Sequence, residues 1–201
     1  DPDFKSDPIS TTLTLLEQRK TVLVEWDCED GFEFTYNGQP QQPKAKFYLE
    51  TDDPERPNYI TILCEYSGNG VNAVNASSAS YTVNVQVQSS RYELSANAVK
   101  SITFKINRAQ VEKPSLANTS FEYQPDGYDL TASLGYTADQ LNILNITGAN
   151  GSDVKNYTLR VELVNKLNSE WVGGGSDAVE IKWEITKKSV RFPAFTETLT
   201  Y

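Results

Sequence analysis

Apolar and polar residues alternate along Tyr81-Thr82-Val83-Asn84-Val85-Gln86-Val87, and again along Tyr157-Thr158-Leu159-Arg160-Val161-Glu162-Leu163. A period of two sends every second side chain to one face, the pattern of a half-buried strand. Ser101-Ile102-Thr103-Phe104-Lys105-Ile106 and Glu180-Ile181-Lys182-Trp183-Glu184-Ile185 alternate in the same way. Further strands are predicted over residues 42–49, 59–66, 129–134 and 140–146, separated by polar turns that carry Gly, Asn and Pro. The best helical candidate, residues 13–21, is weakened by its β-branched threonines. Short strands at regular spacing with no sustained helical period predict an all-β chain of antiparallel sandwiches.

The alternating segments fall in two sets with the same order, which marks an internal repeat. Phe32-Glu33-Phe34-Thr35-Tyr36-Asn37-Gly38 corresponds to Thr119-Ser120-Phe121-Glu122-Tyr123-Gln124-Pro125-Asp126-Gly127, with Tyr36 matching Tyr123. The Tyr81 strand matches the Tyr157 strand, the Ile102 strand matches the Ile181 strand, and each closing strand is followed by a proline, Pro114 or Pro193. Residues 20–108 and 109–192 are therefore expected to be two sandwich repeats, the first enlarged by turn-rich insertions at 50–58 and 67–80. Residues 1–19 are expected to be the tail strand of a preceding repeat or an N-terminal extension, with Phe4 standing where Tyr92 and Trp171 stand before their own closing strands. Residues 193–201 are expected to start a further repeat.

A chain of 201 residues accommodates two such domains, each of about 80 to 95 residues. Its 27 acidic and 18 basic side chains leave a net charge of −9, which would repel a phosphate backbone, so nucleic acid is not an expected partner. No apolar run is long enough to span a bilayer, and residues 1–4 do not read as a signal peptide. The absence of methionine predicts that the segment is a processed or trimmed piece. With no histidine, the Ser-His-Asp and Cys-His nucleophile arrangements and ordinary zinc sites lose their usual side chain, and no Gly-rich phosphate loop is present. The chain is not expected to be an enzyme.

Candidate chemistry is sparse. Asp27, Glu29 and Asp30 form an acidic cluster near the junction of the leading segment and the first repeat, where calcium could stiffen a linker. Calcium takes six to eight oxygen ligands, so the cluster supplies part of a shell or is simply a solvated acidic turn. Cys28 and Cys64 are the two cysteines, and they are read either as a disulfide or as one buried and one loop thiol. Aromatic residues that recur at equivalent repeat positions belong to the core. That leaves Tyr48, Tyr66, Tyr128 and Tyr136 as candidates for an exposed sugar-stacking face, with Tyr128 and Tyr136 the residues to test for glycan binding. Asn-x-Ser/Thr triplets occur at Asn75, Asn118, Asn145, Asn150 and Asn156.

Tyr157-Thr158-Leu159-Arg160-Val161-Glu162-Leu163, then Trp171, the Gly173-Gly174-Gly175-Ser176-Asp177 turn and Ile181-Lys182-Trp183-Glu184-Ile185-Thr186-Lys187 together resemble bacterial immunoglobulin-like tandem repeats of surface and adhesin-type proteins. The resemblance covers residues 114–192 well and 20–113 more loosely, since Phe104 stands in place of Trp183. It implies tandem immunoglobulin-like antiparallel β-sandwich domains displayed on a cell surface, with a stalk or adhesive role and no shared catalytic residues. The expected partner is an unidentified protein or glycan ligand, or neighbouring copies of the chain. A second expected role is an assembly module, a filament subunit or phage decoration domain on a virion surface, joined through terminal strands at residues 11–16 and 195–201. A third is a glycan-binding module.

Overall fold

The structure, a computed structural model, describes residues 18–192. The expectations for residues 1–17, Phe4 among them, and for residues 193–201 concern positions outside the described residues. The first copy contributes β1 (Lys20–Trp26), β2 (Phe32–Thr35), β3 (Ala45–Leu49), β4 (Tyr59–Ile60), β5 (Cys64–Ser67), β6 (Tyr81–Val87), β7 (Tyr92–Leu94) and β8 (Ser101–Asn107). The second contributes β9 (Ala109–Val111), β10 (Ser120–Glu122), β11 (Tyr128–Asp129), a 3-10 turn (Ala132–Leu134), α1 (Ala138–Leu141), β12 (Leu144–Thr147), β13 (Asn150–Gly151), β14 (Asn156–Leu163), β15 (Ser169–Trp171) and β16 (Val179–Thr186). With 42% strand against 4% helix, the chain is all-β and sandwich-like.

One four-stranded sheet runs β2-β8-β6-β5, and its counterpart runs β10-β16-β14-β12. Matching strands therefore occupy matching places. Tyr81 sits opposite Phe104, and Tyr157 opposite Trp183. Both pairs stack, with centroids 5.4 Å apart in the first copy and 4.3 Å in the second. Phe34 meets Phe104 edge-on as Phe121 meets Trp183, so each copy contains the same three-ring arrangement. Such pairs add about 0.5–1.5 kcal/mol each beyond the area they bury. The amide of Tyr36 donates to Asn107 O and that of Tyr123 to Thr186 O, each at 2.8 Å, which places the two tyrosines at one position.

A second four-stranded sheet, β4-β3-β1-β7, belongs to the first copy. Val22 and Val24 of β1, Phe47 of β3 and Val85 of β6 form one buried cluster, so the core lies between the two sheets. In the second copy Val111, Leu159, Val161, Leu163, Trp171, Trp183 and Ile185 are core, as the period-two pattern requires. The parallel pair β1–β7 recurs as β9–β15. Leu94 stands opposite Val22 as Trp171 stands opposite Val111, so Leu94 holds the place of Trp171 and the expected match with Tyr92 is out by two residues.

Four other expectations change. Residues 129–134 are not a strand: β11 ends at Asp129, whose carboxylate accepts the Thr131 amide at 2.9 Å and turns the chain into the 3-10 turn. Residues 140–146 split, because Thr137 and Gln140 form a capping box that starts α1 before β12 begins at Leu144. Residues 59–66 likewise divide between β4 and β5, and Lys20 and Thr21 open a strand rather than close a helix.

The chain forms two compact units. The first holds the described residues up to Phe34, Pro40–Ala73 and Ser78–Lys105; the second holds Thr35–Gln39, Val74–Ser77 and the residues from Ile106 on.

Candidate functional site

The turn after β1 carries the acidic cluster. Asp27 Oδ1 accepts the Lys44 amide at 2.8 Å, and Asp30 Oδ1 accepts the amide and hydroxyl of Thr103 at 2.7 and 2.8 Å. Those bonds from Thr103 hold the Asp30 carboxyl below its ordinary range. The carboxylates of Asp27 and Asp30 thus tie the turn to neighbouring backbone, while Glu29 lines a cavity of about 450 Å³ with Cys28, Phe32 and Phe34. Among the described residues no group of three or more His, Cys, Asp or Glu side chains is gathered to hold a metal.

Cys28 and Cys64 are both free thiols. Cys64 starts β5, while Cys28 lies in the β1–β2 turn, where burial and the charges of Asp27 and Asp30 push its thiol up. A raised pKa lowers the thiolate fraction and with it the reactivity.

Tyr128 and Tyr136 are half-buried and pack against the second core. Their hydroxyls donate to Glu122 O and Glu112 O, each at 2.7 Å. Burial and the nearby Glu112 push Tyr136 up to about 12. Both rings are committed to packing, and a sugar face would have to compete with it. The triplet asparagines differ in the same respect: Asn75 Oδ1 accepts from Asn168 at 3.0 Å and Asn118 Oδ1 from Ser120, whereas Asn145, Asn150 and Asn156 are exposed along the β12 to β14 region.

Sequence reasoning did not single out a buried, multiply bonded asparagine of the second unit. Asn168 is 3% exposed. Its Oδ1 accepts the Ala76 amide at 2.7 Å, its Nδ2 donates to Asn75 Oδ1, and its own carbonyl accepts the Ala109 amide at 2.9 Å. Beside it Arg108 donates to Leu167 O at 3.1 Å and pairs with Glu170 at 3.7 Å. This cluster grips the Val74–Ser77 segment within the second unit. The corresponding corner of the first unit is built the same way, since Lys20 N donates to Arg91 O at 2.8 Å as Ala109 N does to Asn168 O. Arg91 is therefore the counterpart of Asn168, and Arg19 of Arg108. The one sequence signal of this corner is the arginine directly before a strand that both copies share, Arg19 before β1 and Arg108 before β9.

No protein-family model matches this sequence, and no curated protein matches it either.

Proposed function

We propose that the chain is a non-catalytic, load-bearing segment of an extracellular surface protein, a tandem of immunoglobulin-like sandwich repeats acting as a stalk or adhesive arm. The observation that carries this reading is the parallel pairing of an early strand with a late one in each copy. In the second copy β10 runs parallel to β16, Ser120 opposite Glu184 and Glu122 opposite Thr186. The pairs β1–β7 and β9–β15 are parallel as well.

Parallel strands whose outer ends lead toward opposite termini are loaded in shear when the chain is pulled. Their hydrogen bonds then share the force and must fail together, whereas an antiparallel hairpin peels one bond at a time. Two copies of one scaffold with this pairing suit a segment that transmits tension. The resemblance to surface repeats agrees with that role.

Force spectroscopy tests it. Pulled from its ends, the chain is expected to resist with sharp unfolding events. Extension without a force peak would sink the proposal.

A further inference from the structure

Among the described residues, nothing fills in the first unit the corner that Asn168 fills in the second. A cavity of about 370 Å³ lies there, lined by Gln18, Lys20, Ser90, Arg91 and Tyr92. The backbone frame is shared: Ser89 Oγ accepts the Arg91 amide as Asn165 Oδ1 accepts the Asn168 amide. The side chains differ. Asn168 accepts and donates: its Oδ1 accepts the Ala76 backbone amide and its Nδ2 donates to the Asn75 side-chain oxygen. Arg91, which is exposed, has only donors to offer, so its occupant must present carbonyls or carboxylates. Arg19 and Lys20 make the corner basic in a chain of net charge −9, with Glu93 the nearby acid on β7.

The loop that Asn168 grips precedes β6. Its counterpart in the second copy is the loop that precedes β14, and a second cavity of about 330 Å³ opens there, lined by Asp126, Tyr128, Asp129, Asn150, Gly151 and Ser152. Asp126 and Asp129 are exposed on it, and Asp153, which follows Ser152, is exposed and paired with Lys155 at 3.3 Å. The acidic loop is thus the repeat-equivalent of the segment that the basic corner's counterpart already holds.

We infer that the basic corner at Lys20 and Arg91 receives the acidic Asp126–Ser152 face of a second copy of this chain. The contact joins two different surfaces, so it is heterologous and adds copies in one direction. This goes beyond the load-bearing reading, resting only on the equivalence of the two copies, and it names the partner as the chain itself.

Sedimentation velocity of the full chain over a concentration series, at low and high salt, tests the inference. Association is expected to grow with concentration and to fade as salt screens the charges. Arg91→Glu or Asp126→Lys alone should weaken it roughly tenfold or more, and the two together in one chain should restore it. Thermal unfolding of each variant confirms that it is folded. A monomer at every concentration, or association untouched by both single changes, would overturn the inference. Either outcome leaves the load-bearing reading standing, because that is decided by force on single molecules.

Discussion

Tyr136 and Asn168 show how single side chains hold the second unit, and each has a measurable signature. Tyr136 is pushed up to about 12 from an ordinary value of 10.0, so folding favours its neutral form. A group raised in the folded state contributes stability that is intact below the unfolded value and lost as pH climbs through the folded one. Stability is therefore expected to fall between about pH 10 and pH 12. Tyr136→Phe should flatten part of that fall, which denaturant titrations at a series of pH values would show. At Asn168, truncation to Ala leaves the buried Ala76 amide without its side-chain acceptor and removes the bond from Nδ2 to Asn75. Because the site is buried, the cost should be about 1–3 kcal/mol, read as a lowered denaturation midpoint at unchanged slope.

At the scale of elements, the two chain reversals after β5 and β12 are glycines pressed against the neighbouring strand. A side chain on Gly148 would run into the Thr158 carbonyl, as one on Gly68 would into Thr82. Gly135 has nearly the same backbone angle as Gly148, φ +75 against +72, but open space around it. Gly135→Ala should cost only the left-handed backbone penalty, about 1–2 kcal/mol. Gly148→Ala adds the clash and is expected to lower the melting temperature much further, the difference between the two variants measuring the contact alone. Equal losses would mean that the backbone angle accounts for everything. The long alternating strands β6, β8, β14 and β16 were legible in the sequence, because period two and recurring rings leave few alternatives. The elements between them were not. Residues 129–134 have the composition of a strand, and the turn made by Asp129 depends on one local hydrogen bond. The Thr137-to-Gln140 spacing did advertise a helix start, but four residues of helix carry too little apolar period to show.

For the molecule as a whole, the repeat was visible because both copies preserve the same ring stack, while the candidate sites were largely not. Asp27 and Asp30 look like ion ligands in sequence, but they spend their oxygens on Lys44 and Thr103, which lie far along the chain. Asn168 gave no signal because its partner Ala76 is 92 positions away. The charge of the chain is likewise not spread evenly: basic residues gather at the β1 corner and acidic ones around Asp126, which is why the self-association expected above should depend on salt.

The assignment of Thr35–Gln39 and Val74–Ser77 to the second unit has a consequence for how the protein is made. During synthesis those segments emerge long before residues 106–192, with which they are to pack. The second unit therefore closes only when early and late parts of the chain meet, a high-contact-order step that is slow relative to local strand pairing. A gene fragment cut where the sequence repeat begins would encode the second copy's strands without the Asn75–Ala76 segment that Asn168 holds. The natural excision unit is thus longer than the repeat, and shuffling such modules would require carrying neighbouring loops along with each one.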